Sequence, residues 1–368
     1  MRMRRFLIGL AAALGSALTL TNLTGCAAAE QPGTLQNNNP LGTYVNELRE
    51  LPGVESATLG ITGQQADIYG LDVTLADDIT DDELSTVGAE AANFTTITSD
   101  AGLTAAQPTL KRGESSFEYF DNLEGDALTT QLSYWMHLQL DGIESVEMRG
   151  YTERITNLQS DSTTAPTPDP RYVAIELPDD ADADTADSIV AQLRAVTDPG
   201  ADSGQWDLVV PSAHFKGEFH DAKFPSVTEY GYLSTVASTF MPVDDLASAE
   251  VSFYPDNDVP LQIEVVSFDS ETDDLSAEEA DAAFQQSAIW EQLEPLMQDL
   301  ADHVNYQVEV LGNPLSDGGN FKLDFTVSDC AFTGDSTWPE SSAALGEIWQ
   351  HAMKNSSAKC SPEVVPSP

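Results

Sequence analysis

Apolar residues along this chain recur with two periods, one helical and one extended, and the two alternate. Three amphipathic helices stand out: Tyr44, Val45, Leu48 and Leu51; Leu128, Leu132, Trp135 and Met136; Tyr232, Leu233, Val236 and Phe240. Spacings of three and four put each set on one helix face. A strand follows each helix, and the junctions LPGVESATLGI, LDGIESVEMRG and VDDLASAEVSF bring Val54, Ile143 and Leu246 into register. A second strand follows as YGLDVTLA, RYVAIELP and PLQIEVVSF, with β-rich composition and apolar alternation. Each copy then has an acidic segment, a further helical pattern, and a closing strand around 115–120, 206–210 and 306–311. In the third copy the strand NYQVEVL runs through LSDGGN into FKLDFTV, a hairpin pattern.

Each unit therefore reads α-β-β-α-β over roughly 90 to 100 residues. The expected fold is α+β, an approximate three-fold repeat in which each unit is a small sheet with helices on one face. The expected units are residues 41–121, 122–224 and 225–330, followed by a C-terminal helix within 331–360 and a disordered tail over 361–368. The stretch from Leu158 to Pro170 reads as an insertion between the first two strands of the second unit. In the third unit a helix is expected over 276–304, with Ile289, Leu293, Leu296, Met297, Leu300 and Val304 on one face and a bend at Pro295. This order of elements is similar to that of the BON family of bacterial envelope domains. That resemblance implies an envelope setting and, for some members, association with phospholipid.

The acidic segments ADDITDDEL, PDDADADTAD and SETDDLSAEEAD each precede a helical pattern. Carboxylates there offset the positive end of the helix dipole, and Thr80 with Glu83 and Ser276 with Glu279 have capping-box spacing. Asp180, Asp182 and Asp184 alternate as in a calcium loop, but Thr185 stands where the turn glycine belongs and Ala191 where the bidentate glutamate belongs. The charge runs are therefore read as helix starts.

At the N-terminus, Arg2, Arg4 and Arg5 precede an apolar run from Phe6 that ends in Leu23-Thr24-Gly25-Cys26. This resembles the bacterial lipoprotein signal peptide. The resemblance implies removal of residues 1–25, a diacylglycerol thioether on Cys26, and a membrane partnership through that anchor on the extracytoplasmic face of the cell membrane. Residues 26–40 then read as a flexible tether. Ordinary cleavage near Ala27-Ala28-Ala29 and an uncleaved anchor remain the alternatives.

With 61 acidic residues against 15 lysines and arginines, the chain carries a net charge of −46. Such a chain is repelled by phosphate backbones and anionic headgroups, so nucleic acid is excluded as a partner. Beyond Cys26 only Cys330 and Cys360 remain, an even pair outside the reducing cytosol, for which a disulfide is expected. Closing that loop stabilises the fold by about 3 to 4 kcal/mol in the chain-entropy model.

Candidate chemistry is sparse. His214 and His220 with Glu218 in HFKGEFH could present imidazole and carboxylate on one side of a strand, but the spacing dictates no third ligand. Ser356 and Lys359 form S-x-x-K without a K-T-G companion. The sequence contains neither G-x-S-x-G nor H-E-x-x-H, nor a phosphate-binding or dinucleotide glycine motif. No catalytic residue, metal ligand or cofactor is assigned. The expected function is a non-catalytic envelope lipoprotein that binds an envelope protein or serves as a structural adaptor. The alternatives are a carrier of a small solute or lipid and a carboxylate- or metal-dependent hydrolase.

Overall fold

The computed structural model describes residues 40–355 and 363–365, apart from the internal segments 63–67, 120–122, 152–170, 179–180, 202, 211–214, 242, 244–245, 268–274, 301–304 and 317–319. The expectations at Cys26, His214, Ser356, Lys359, Cys360 and 158–170 lie outside the described residues.

Six successive helix-plus-hairpin units run along the chain. In order they are α1 (Pro40–Arg49) with β1 (Val54–Thr62) and β2 (Ile68–Leu75), then α2 (Asp81–Ala92) and α3 (Phe94–Asp100) with β4 (Thr109–Arg112) and β5 (Ser115–Glu118). The short β3 (Thr104–Ala105) precedes β4 and pairs with β2. Next come α4 (Gly125–Leu138) with β6 (Ser145–Arg149) and β7 (Arg171–Glu176), and α5 (Ala183–Ala195) with β8 (Gly204–Val210) and β9 (Phe215–Phe219). The last two are α6 (Val227–Phe240) with β10 (Leu246–Phe253) and β11 (Leu261–Ser267), and α7 (Ala277–Phe284) and α8 (Ala288–Leu300) with β12 (Tyr306–Pro314) and β13 (Asn320–Ser328). The chain ends with β14 (Ala331–Gly334), α9 (Pro339–Asn355) and β15 (Glu363–Val365).

Each hairpin is antiparallel, and successive hairpins join through a parallel pair, as in β2 with β4, β5 with β6, and β7 with β8. The result is one continuous sheet in the order β1-β2-β4-β5-β6-β7-β8-β9-β10-β11-β12-β13-β14-β15. This overturns the expected three small sheets. The boundaries expected at residues 121 and 224 are bridged by the parallel pairs β5 with β6 and β9 with β10. An isolated small sheet would leave unpaired backbone groups at both edges, and continuous pairing removes those internal edges. The segment expected to be a disordered tail contributes β15, which pairs in parallel with β14.

One register row shows how the core is built. Ala57, Val73, Leu110, Phe117, Met148, Val173, Trp206, Phe219, Phe253, Leu261, Tyr306, Val327 and Phe332 are Cα partners in succession from β1 to β14. Every member is apolar or aromatic, so one face of the sheet is apolar across its width. The buried sides of the helices complete that layer: Leu41, Tyr44, Val45 and Leu48 from α1, Leu128, Leu132 and Trp135 from α4, and Leu233, Val236 and Phe240 from α6. Helix neighbours approach closely where side chains are small. A Cβ at Gly88 of α2 would stand inside van der Waals contact of Leu132 Cδ1 on α4, while Tyr119 Oη donates to the Gly88 carbonyl at 2.9 Å.

Helix starts follow the capping logic. Thr80 and Ser276 form capping boxes with Glu83 and Glu279, and a third box joins Ser226 to Glu229 at the start of α6. The helix expected over 276–304 is instead two helices. It breaks between Phe284 and Ala288, where Ser287 Oγ accepts from the Trp290 amide at 3.2 Å, and Pro295 is accommodated inside α8.

Candidate functional site

The other face of the sheet has a different composition. The neighbouring register row reads Thr74, Lys111, Ser116, Glu147, Ala174, Asp207, Glu218, Ser252, Gln262, Gln307, Thr326 and Thr333. A second polar row runs Ser145, Glu176, Val209, Lys216, Glu250, Glu264, Glu309 and Asp324. These positions alternate with the buried ones along each strand, as the two-residue period requires. Among the described residues the helices pack on the apolar face, which leaves the polar face open.

Basic residues on the open face are ion-paired. Lys111 meets Asp72 at 3.1 Å, Arg149 meets Glu118 at 3.1 Å, and Lys322 meets Glu309 at 2.6 Å. Lys216 bridges Asp207 at 3.4 Å and Glu218. Asp207 also accepts from Tyr172 Oη at 3.2 Å and Gln205 Nε2 at 3.0 Å. His220 stacks on Tyr254, with ring centroids 4.1 Å apart, and its Nε2 lies 3.7 Å from Glu218 Oε2.

These neighbours push the carboxyls of the face in opposite directions. Glu218 is held down to about 2, chiefly by the neighbouring His220 imidazole, with burial opposing and Lys216 assisting. Glu250 is pushed up by burial and then by the Glu218 charge, and Glu264 by burial and then by Glu309. Asp324 is pushed up by burial and then by Asp335. Burial pulls Lys216 down, but its hydrogen bond to Glu218 and the Asp207 charge overcome this and raise it.

A pH dependence follows. Glu218 contributes stability that is whole above its ordinary value of 4.5 and is lost as the pH falls toward its folded value near 2. Glu250, Glu264 and Asp324 have the opposite sign: ionised, they oppose folding, and that penalty is relieved as the pH falls through their raised values. The thermal midpoint is expected to rise as the pH is lowered from neutral toward the ordinary carboxylate range and to fall once the pH drops through that range toward the folded value of Glu218. A midpoint that declines steadily from neutral pH downward would contradict this balance.

Two concavities lie on the open face, and a third, likewise open to solvent, lies between the helix layer and the sheet. A polar hollow of about 690 Å³ lies over β4 to β7, lined by Lys111, Ser116, Glu147 and Glu176 among others. A smaller one of about 240 Å³ holds Glu218, Glu250, Glu264 and Glu309. That groove, about 290 Å³, lies under α7 and α8 beside β12 and is lined by Phe284, Ile289, Val310, Leu315 and Phe321, with Ser267 and Ser287 as polar neighbours.

The sequence-derived candidates are distributed as follows. Cys330 is disulfide-bonded, and Asp329 and Cys330 both have positive φ, 50° and 67°, in the two-residue turn between β13 and β14. Asp182 caps α5, its Oδ1 accepting from the Thr185 amide at 2.8 Å, so that part of the acidic run serves a helix start. Glu218 and His220 come together, with Lys216 and Asp207 as neighbours that sequence reasoning missed. Also missed is the row Glu250, Glu264, Glu309 and Asp324. Its signal was an acid at the outward position of four successive strands, in SAEVSF, LQIEVVS, YQVEVL and KLDFTV. Among the described residues no group of three or more His, Cys, Asp or Glu could hold a metal ion, and no helix is long and apolar enough to cross a membrane.

No protein-family model matches the chain, and no curated protein matches it. Among solved structures it is similar to the central domain of yeast acetyl-CoA carboxylase at 12% identity and a TM-score of 0.20, over 73% of this chain and 39% of that one. A likeness that weak carries no argument about fold or activity. The BON resemblance therefore gains no support from a family model.

Proposed function

We propose that this chain is a bacterial envelope lipoprotein, tied to the extracytoplasmic face of the cell membrane through acylated Cys26, that acts without catalysis as a binding or structural adaptor. The observation that carries the adaptor reading is the polar face of the sheet, which no helix among the described residues covers. A sheet clad by helices on one side only presents a broad, rigid surface whose backbone groups are already paired, and rigid strands position contact side chains better than loops do. The four bases named on that face already hold carboxylates in ion pairs, an arrangement suited to recognition. The anchor rests on the lipobox, with residues 26–40 as the spacer and Cys330 paired to Cys360 near the C-terminus. Acylation by two or three chains makes membrane binding durable, since each buried methylene contributes about 0.8 kcal/mol.

A second reading, a carrier of a small apolar solute, is favoured by the largely apolar groove of about 290 Å³ under α7 and α8. Its volume lies at the lower limit of ligand pockets, roughly 300 Å³, so it suits only a small guest.

Replacing Cys26 by alanine tests the anchor. The chain is expected to move from the detergent-rich to the aqueous phase on detergent phase separation of whole cells. A Cys26→Ala chain that stays in the detergent phase overturns it. Crosslinking on intact cells with mass spectrometry tests the activity. A reproducible protein neighbour supports the adaptor, whereas a copurifying small molecule without such a neighbour supports the carrier.

A further inference from the structure

The adaptor reading, on which this inference rests, can be taken as far as the chemistry of the partner. We propose that the β10 to β13 portion of the open face is a docking surface for an extended polypeptide segment rich in lysine or arginine, laid across the strands along Glu250, Glu264, Glu309 and Asp324. These side chains come from four adjacent strands in direct register. At roughly 4.8 Å per strand they span about 14 Å, which matches residues i, i+2 and i+4 of an extended chain at about 3.4 Å per residue. Basic side chains on one side of such a segment can therefore each reach a carboxylate.

Charge complementarity selects this occupant. Among the described residues Glu250, Glu264 and Asp324 form no ion pair, and the flanking Lys216 and Lys322 are already engaged by Asp207, Glu218 and Glu309. Three of the four carboxylates in the row thus have no basic partner among the described residues, and Glu309 between them is held by Lys322. Burial and neighbouring carboxylates disfavour ionisation of Glu250 and Glu264, a repulsion that an arriving cation relieves. Other occupants fit less well. A single metal ion needs convergent ligands, and among the described residues no three of these carboxylates could hold one. A second copy brings the same sign of charge in a chain of net −46, and an anionic lipid surface is repelled.

The test uses the full-length chain in neutral detergent and the fluorescence anisotropy of a labelled heptapeptide of alternating lysine and serine. The variant E250Q/E264Q/D324N is compared with E291Q/D299N/E347Q, which removes the same charge from exposed positions on α8 and α9. Circular dichroism verifies that both fold. The row variant is expected to weaken binding at least about tenfold and the helix variant less than about twofold, because local complementarity outweighs the diffuse field. Equal losses in the two variants overturn the proposal, as does binding of calcium or spermidine without saturable binding of the peptide. A photocrosslinker at Gln262 and another at Ser238, on the helix layer, separate this proposal from the adaptor reading itself. Capture at Gln262 through a basic stretch supports the docking surface. Capture at Ser238 alone sinks it while sparing the adaptor, and capture at neither sinks both.

Discussion

Replacing Arg171 by alanine is expected to destabilise the middle of the sheet by about 3 to 5 kcal/mol, the usual cost of removing one partner of a buried ion pair. Arg171 opens β7 on its apolar side and is fully buried. Its Nη1 and Nη2 reach Asp198 Oδ1 and Oδ2 at 2.6 and 3.0 Å, and Nη2 also donates to the Ala222 carbonyl. The guanidinium lies 4.6 Å from the Trp206 ring centroid and 5.7 Å from those of Tyr134 and Tyr151. One side chain thus ties α4, the loop after α5, strand β8 and the loop after β9 together. Lysine should not rescue it, since an ammonium cannot make the planar two-pronged contact. Arg171→Met combined with Asp198→Asn should recover much of the loss, because no uncompensated charge then stays behind. Each unit of this elongated array depends mainly on its neighbours, so the damage should be local. Hydrogen exchange should accelerate in β7 to β9 while β12 and β13 stay protected. Uniform acceleration along the whole sheet, or a loss below about 1 kcal/mol in urea denaturation, would contradict the role given to Arg171.

Trp135→Ala should cost a similar amount, about 3 to 5 kcal/mol, through loss of apolar burial and the cavity left behind. Trp135 is fully buried in α4, its ring centroid lies 6.0 Å from that of Phe117 on β5, and its Nε1 donates to the Val146 carbonyl of β6 at 3.2 Å. It therefore covers the parallel joint between β5 and β6, the place where two separate sheets were expected. Trp135→Phe should lose less, because the aromatic bulk is largely kept and only the indole hydrogen bond goes. Calorimetry on the two variants checks the order, and a phenylalanine variant as unstable as the alanine one would rule out packing as the dominant contribution.

The helical repeats were legible because each buries a stripe: Tyr232, Leu233, Val236 and Phe240 have no other reason to recur at three and four. The hairpins were only half legible. Strand β4 is four residues long, too short to display an alternation, and β9 reads FKGEF, where Gly217 interrupts the pattern that Phe215 and Phe219 complete. Two successive units of helix plus hairpin were therefore counted as one unit of two helices with three strands. Arg171 was invisible as a core residue because strand alternation takes a leading charged residue to be exposed. What made it a core residue is Asp198, twenty-seven positions away, together with rings from three other segments.

By itself the sequence determined the negative charge, the helix starts at Thr80 and Ser276, and the alternation that assigns each strand an apolar and a polar side. These are local or compositional properties, readable without knowing what lies beside what. Only the tertiary structure decided that the hairpins join edge to edge into one sheet and that Glu250, Glu264, Glu309 and Asp324 stand in a single row. Strand partners and register depend on backbone hydrogen bonds between segments far apart in the chain, and a period of two within a strand carries no information about which neighbour it will meet.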